Sequence, residues 1–282
     1  EMFALKDLLS RLGSSNTDCG QDGIVFNPEL GRASYLFNAT IAGIDSADAL
    51  LIIGANPRRE AAVLNARIRK RWRAGKFPIA LIGERVDLTY SYDYLGAGPD
   101  TLSELASGKH SFAEVLNKAE RPLIIVGAGA LARPDGAAVA ALAAKVAVEC
   151  HAVKEGWNGY SVLHTAASRV GALEAGFVPG EGGLNTAAMT KPDALDVLFL
   201  LGADEVDVPA GAFVVYVGTH GDNGAHRAEV ILPGAAYTEK SGLYVNTEGR
   251  VQMANRASFP PGDAREDWSI FRALSEVLGQ KL

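Results

Sequence analysis

Unbroken apolar runs, each closed by a glycine, recur along the chain: 50-LLIIGANP-57, 79-IALIGER-85, 123-LIIVGAGA-130, 197-VLFLLGAD-204 and 214-VVYVGTH-220. Their lack of polar alternation predicts strands buried on both faces, as in a parallel sheet wrapped by helices. Segments with helical spacing separate them. Residues 2–12, 58–75, 101–107, 111–119 and the Ala-rich 135–148 read as helices, the last with strong intrinsic propensity. Residues 40–150 therefore read as a self-contained β-α-β-α-β-α unit.

The rest of the chain is less regular. Residues 16–38 and 86–99 are rich in turn formers, the latter carrying Tyr90, Tyr92 and Tyr94, which read as a packed loop. The stretch 151–195 is glycine-rich, with helices expected at 162–174 and near 185–190. The connection 205-EVDVPAGAF-213 between two buried strands is short for a crossover helix. A strand at 229–233, a hairpin at 243–253 and a helix at 265–278 close the chain. Within the hairpin, Thr247-Glu248-Gly249 reads as a three-residue loop with Gly249 at a positive φ. Leu243, Val245, Val251 and Met253 are expected on a half-buried face.

Bulk properties narrow the function. The 282 residues carry a net charge of -6, and the densest basic stretch, 67-RIRKRWR-73, reads as a solvated helix face. That balance argues against nucleic acid, whose binding rests on a concentrated basic surface. No apolar run approaches the ~20 residues that span a bilayer, so direct membrane insertion is not expected. Cys19 and Cys150 alone cannot hold a four-thiolate cluster or a closed zinc site. The chain starts at Glu1 inside an amphipathic pattern, as if cut from something longer.

In open α/β sheets ligands bind at the carboxyl ends of the strands, so the glycine-ended loops supply the candidates. The segments 48-DALLIIGANPRRE-60 and 196-DVLFLLGADEVD-207 resemble each other, which suggests a duplicated unit with Gly54 and Gly202 facing one crevice. Asn56, Pro57 and Asp204 follow those glycines, and Thr219 and His220 end the strand at 214–218. All have a plain alternative as turn residues bonded to nearby backbone. His220 and His226, with Asp222 and Asn223 between them, read as a polar loop rather than a metal site. Lys240 and Arg250 read as solvated turn residues, with a phosphate or a neighbouring subunit as the functional alternative. No loop is G-x-G-x-x-G, so a simple NAD site is poorly supported.

The stretch 229-EVILPGAAYTEKSGLYVNTEGRVQ-252 resembles the molybdopterin oxidoreductase superfamily, in which a strand ending in Leu-Pro precedes E-x-x-G-x-x-x-N-x-E-G-R-x-Q. Glu239, Gly242, Asn246, Glu248, Gly249, Arg250 and Gln252 fall in the matching places. Within that superfamily the resemblance is to the large iron–sulfur subunits of respiratory complex I, the NADH:quinone oxidoreductase. Residues 10–23, 37–70 and 182–189 carry it as well.

The resemblance implies an α/β fold of two Rossmann-like parallel-sheet domains, one inserted into the other. On this chain that gives 1–39 as the first part of the outer domain, 40–150 as the inserted domain and 151–282 as the remainder. It implies a structural portion of the subunit with no catalytic or metal-ligating residue of its own, the iron–sulfur clusters lying in a missing amino-terminal region. Gly54, Asn56, Pro57, Gly202, Asp204, Thr219, His220 and Lys240 become candidates for a vestigial cofactor pocket. The implied partners are other peripheral-arm subunits, on the cytoplasmic face of a bacterial inner membrane or the mitochondrial matrix side. The alternative is the catalytic core of an oxidoreductase that uses molybdopterin guanine dinucleotide. A thiamine-diphosphate enzyme's central domain would explain the strands but not the 229–252 pattern.

Overall fold

A computed structural model describes residues 1–208, 210–221 and 223–282, with Pro28 described by its backbone alone. The chain opens with α1 (Met2–Arg11) and passes through short 3-10 turns to β1 (Ala49–Ile53). Next come α2 (Pro57–Glu60), α3 (Ala62–Arg73), β2 (Ile79–Ile82) and β3 (Asp93–Gly96). Helices α4 (Pro99–Ala106) and α5 (Ser111–Lys118) lead to β4 (Pro122–Gly127), α6 (Ala128–Leu131) and α7 (Gly136–Glu149). Short strands β5 (Val153–Lys154), β6 (Trp157–Asn158) and β7 (Tyr160–Leu163) precede α8 (Arg169–Glu174) and α9 (Thr186–Met189). The remainder holds β8 (Val197–Leu201), β9 (Phe213–Gly218), α10 (Asn223–Arg227) and β10 (Val230–Pro233). It ends with β11 (Gly242–Val245), β12 (Val251–Ala254) and α11 (Asp267–Val277).

Two compact units divide these elements: Ile24–Val170 with Asn246–Arg250, and Glu1–Gly23, Gly171–Val245 and Val251–Leu282. The 24–170 unit is built on a parallel sheet in the order β3-β2-β1-β4-β7. Because successive side chains leave a strand on opposite faces, β1 feeds two cores at once. Ala49, Leu51 and Ile53 pack with Leu102, Leu116 and Val146 of α4, α5 and α7. Leu50 and Ile52 pack with Leu64 and Ile68 of α3 and with Phe37 and Ile44. Asp48 fixes the entry to β1, its carboxylate accepting the backbone N–H groups of Glu120 and Arg121 at 2.7 Å each. Arg71 on α3 donates to the Ala47 carbonyl at 2.7 Å, holding that helix against the same corner.

Several expectations need correction here. The helix expected over 58–75 breaks at Ala61 (φ −151) into α2 and α3. The loop 86–99 contains β3, a short half-exposed edge strand whose Asp93-Tyr94 start carries no apolar run. Val162 and Leu163, the start of the helix expected at 162–174, belong instead to β7 with Tyr160 and Ser161 from the expected loop, and α8 begins at Arg169. Sheet burial overrides helical spacing over so short a stretch.

The other unit has a smaller parallel sheet, in the order β10-β9-β8. Leu198, Leu200, Val214 and Tyr216 form one cluster, while Val217 joins Leu5 of α1 and Phe271 of α11 on the other side. Strands β8 and β9 are parallel neighbours joined by residues 202–212 with no crossover helix among the described residues; Pro209 lies outside them. Strand β10 is an exposed edge, with Ile231 53% exposed.

Strands β11 and β12 form the expected antiparallel hairpin, Leu243 opposite Met253 and Val245 opposite Val251. Its loop is five residues, 246–250, rather than three. Gly249 has φ 78, and a Cβ there would lie 3.1 Å from Leu36. The loop is tied down inside the 24–170 unit: Phe37 N–H donates to Thr247 O at 2.8 Å, and Ile41 N–H to the Glu248 carboxylate at 2.7 Å. The expectation of a half-buried strand face fails. Leu243, Val251 and Met253 are 69%, 60% and 64% exposed, while Val245, which lies near Gly171, is half-buried.

Candidate functional site

At the carboxyl ends of β1, β2 and β4, within the 24–170 unit, lies a crevice of about 280 Å³. Its floor is Gly54, where β1 turns with φ +56. The conformation favours glycine, and a Cβ there would stand 2.6 Å from the Ala130 backbone nitrogen. The close approach of α6 to this turn therefore requires Gly54. Asn56 and Glu60 line one wall, Gly83 and Glu84 from the end of β2 another, and Gly98 at the start of α4 a third.

The crevice is rich in acceptors. Glu60 turns one carboxylate oxygen back to the Asn56 N–H at 2.8 Å, which closes the first turn after the strand. Its other oxygen, Oε2, and the side-chain oxygen of Asn56 are buried with no hydrogen-bond partner in the structure. Buried acceptors left in that state carry a desolvation cost of about 1–3 kcal/mol each, which a donor-bearing ligand or water would relieve. Arg133, also in the lining, is engaged by the Asp135 carboxylate at 2.7 and 2.9 Å. That hydrogen bond holds the guanidinium's pKa above its usual value and that of Asp135 below. The lining contains no His, Cys, Ser or Lys, and its titratable groups are the carboxylates of Glu60 and Glu84 and the guanidinium of Arg133.

Gly54 and Asn56 thus share this crevice, and Pro57 is buried at the first position of α2. Gly202 repeats the Gly54 conformation, with φ 58 at the end of β8. Asp204 lines a separate cavity of about 440 Å³ in its own unit, beside Asn223, His226 and Arg227. Thr219 and His220 bond to each other at 2.8 Å, Oγ1 to Nδ1, on the surface. Asp222, flagged beside these histidines, lies outside the described residues, and no metal-binding group of side chains occurs among the described ones.

Lys240 is committed elsewhere, to Asp267 at 2.8 Å and Glu1 at 3.0 Å in a mostly buried triad. Burial opposes its charge, but the two carboxylates outweigh that and raise its pKa. Burial and the nearby Asp267 raise Glu1. Of the tyrosines, Tyr90 donates to Asn65 Oδ1 at 2.9 Å in the core and Tyr92 to Val86 O at 2.6 Å, a packed loop as expected. The crevice residues that sequence reasoning missed are Glu60, Glu84 and Arg133. An acid just after the second strand of an α/β unit was a usable signal for Glu84.

The chain matches the molybdopterin oxidoreductase family over residues 1–277. It is 47% identical over 292 residues to the NADH-ubiquinone oxidoreductase 78 kDa subunit, mitochondrial, of Neurospora crassa, covering 100% of this chain and 38% of that protein. It is 44% identical over 281 residues to the NADH dehydrogenase [ubiquinone] iron-sulfur protein 1, mitochondrial, of Solanum tuberosum, covering 99% and 37%. The chain therefore spans well under half the length of these relatives. Among solved structures, acetylene hydratase from Pelobacter acetylenicus superposes with a TM-score of 0.68 at 14% identity, covering 100% of this chain and 54% of that one. This last likeness is one of fold.

Proposed function

The chain belongs to the molybdopterin oxidoreductase family, and from that premise we propose that it is a structural portion of the peripheral-arm iron–sulfur subunit of a respiratory NADH:quinone oxidoreductase. The observation that carries this reading is 44–47% identity, over essentially the whole chain, to relatives named as that subunit. On this reading the clusters lie in the remainder of a longer polypeptide, and these two α/β units scaffold them and pack against other arm subunits. The mitochondrial names of the relatives favour the matrix side of the membrane. No helix among the described residues is long and apolar enough to cross a bilayer, which agrees with a peripheral position.

The family implies a pterin guanine dinucleotide, and the crevice at Gly54 fits part of it. Asn56 Oδ1, Glu60 Oε2 and the Glu84 carboxylate are acceptors suited to the N–H and O–H donors of a nucleoside. The crevice, at about 280 Å³, lies just below the size of ligand sites, roughly 300–1,000 Å³, and so would take only part of the group. Asn56, Glu60 and Glu84 would hold the nucleoside end, and a bound group of this class would supply metal-based redox chemistry. This crevice is what favours the second reading, a catalytic molybdopterin enzyme.

One preparation separates the two. Residues 1–282, purified without a tag, should contain no stoichiometric molybdenum or iron and give no fluorescent pterin on acid oxidation. Antibody to the same residues should isolate NADH:quinone oxidoreductase activity from native membranes. A stoichiometric pterin, or precipitates lacking that activity, would overturn the structural reading.

A further inference from the structure

The charge of this molecule is segregated. Residues 58–76 hold eight of its 27 Lys and Arg and one of its 33 Asp and Glu, so that segment carries +7 and the other 263 residues −13. Most of the excess sits on α3. This helix buries Leu64, Asn65 and Ile68 against the sheet and turns Ala62, Val63, Ala66, Arg69, Lys70 and Arg73 to solvent. Those positions recur at helical spacing, so they form one continuous face. Its amino-terminal half is apolar and small, with Val63 86% exposed; its carboxyl-terminal half is basic and continues into exposed Lys76.

Three other cations of the segment have partners, while Arg59 is exposed on α2. Arg58 pairs with Asp87 and Arg67 with Asp45, while Arg71 donates to the Ala47 and Gly75 carbonyls. Arg69, Lys70, Arg73 and Lys76 pair with no acidic side chain among the described residues. The dipole of α3 favours cations in its last turn by about 0.3–1 kcal/mol. That accounts for Lys70 and Arg73 but not for Arg69 or Lys76, and Arg69 and Arg73 repel each other at i, i+4.

We propose that the exposed face of α3 is a docking surface for a carboxylate-rich segment of another polypeptide, with Val63, Ala62 and Ala66 as its apolar centre and Arg69, Lys70, Arg73 and Lys76 pairing with the partner's Asp and Glu. Charge complementarity sets the sign of the partner. Arginine's planar fork binds carboxylates bidentately, and protein interfaces are enriched in it. A nucleic acid is disfavoured by the −13 carried by the rest of the chain. An anionic bilayer is disfavoured because the apolar positions are Ala and Val, where interfacial helices place Trp, Phe or Leu. A second copy meeting this face through its acidic remainder would make a heterologous, head-to-tail contact, which ends in a closed assembly only where the rotation between copies closes a ring.

The proposal rests on the function proposed above, so a zero-length carbodiimide cross-link, which joins an amine to a carboxylate in contact, tests it on the native NADH:quinone oxidoreductase particle containing the wild-type chain. The expected products link Lys70 or Lys76 to Asp or Glu of a different polypeptide, and peptide mass spectrometry maps them. In a companion variant, Arg69→Glu with Lys70→Glu and Arg73→Glu, recovery of the chain in the particle should fall about tenfold at physiological salt, as for loss of close charge pairs. The Arg69→Lys, Arg73→Lys variant should retain recovery. If the charge-reversed chain fails to fold, the wild-type cross-link still decides. Lys70 and Lys76 both left uncross-linked and freely acetylated in the particle would overturn the proposal. So would cross-links only to a second copy, or retention of the isolated chain on RNA or on vesicles of one-third phosphatidylserine that the charge reversal abolishes.

Discussion

The two parallel sheets of this molecule solve the same packing problem to different degrees. In the 24–170 unit every residue of β1, β2 and β4 is buried, because α3 covers one face and α4, α5 and α7 the other. In the other unit β9 is buried only at Val214, Val215, Tyr216 and Val217, with Phe213 47% exposed, while β10 leaves Val230 and Ile231 at 36% and 53% exposure and the hairpin leaves Leu243, Val251 and Met253 more open still. Parallel sheets are stable when covered on both faces. The contrast teaches that the central strands of the 24–170 unit are fully covered by their own helices, whereas β10 and the hairpin leave apolar side chains open among the described residues. On the reading proposed above, neighbouring subunits would supply that cover.

Matched truncations give the largest test of that contrast. Ile125→Ala, in β4, should cost about 3 kcal/mol through lost burial and a residual cavity. Ile231→Ala, in β10, should cost under about 1 kcal/mol because its side chain is half in water already. Urea melts of both variants check this, and equal costs would break the comparison.

Next in size is Lys240→Met, which leaves Asp267 and Glu1 facing one another in a mostly buried site. About 2 kcal/mol should be lost, below the 3–5 of a fully buried pair. The folded pKa of Lys240 lies above its ordinary 10.5, so its contribution is complete below that pH and disappears as pH climbs through the folded value. Melts of wild type and variant should converge in strong alkali.

Gly249→Ala should cost roughly 1–2 kcal/mol, more than an ordinary glycine position, since φ is 78 and Leu36 stands against the new Cβ. An unchanged melting temperature would contradict this. Glu248→Gln is smaller, about 1 kcal/mol near neutrality. Burial disfavours the Glu248 carboxylate, but the Ile41 N–H, Arg250 and Asn246 outweigh burial and hold its pKa below 4.5. Its stabilisation is therefore present above 4.5 and lost as pH falls through the folded value, so the two curves should meet in acid. The smallest effect is chemical. Burial pushes the Cys150 thiol up to about 11, so iodoacetamide near neutral pH should leave it unmodified in the folded chain.

The five apolar strands and the longer helices were legible in the sequence because each carries its own signal, an apolar run or a 3.6-residue repeat, although burial on both faces holds for β1, β2 and β4 and not for β8, whose Val197 is 49% exposed. So was the fold class, two Rossmann-like α/β units of the molybdopterin oxidoreductase kind. Strands β3 and β7 were not legible. They are four residues each and owe their conformation to pairing with β2 and β4, a tertiary cause that a local window does not contain. The hairpin was read correctly in register, since alternation fixes which residues share a face, but not in burial, which depends on what lies opposite. At the candidate site Gly54 and Asn56 stood out by position after a strand. Glu60 and Arg133 did not, because a helix turn and a later loop bring them to the crevice.

Hydrogen exchange, read by mass spectrometry on the isolated chain and on the native particle, tests most directly whether the molecule is a structural piece of a larger body. The amides of β1 and β4 should exchange only through global unfolding in both samples, while β10, β11 and β12 should exchange readily in the isolated chain and slow markedly in the particle. Equal protection of β10–β12 in the two samples would contradict the account.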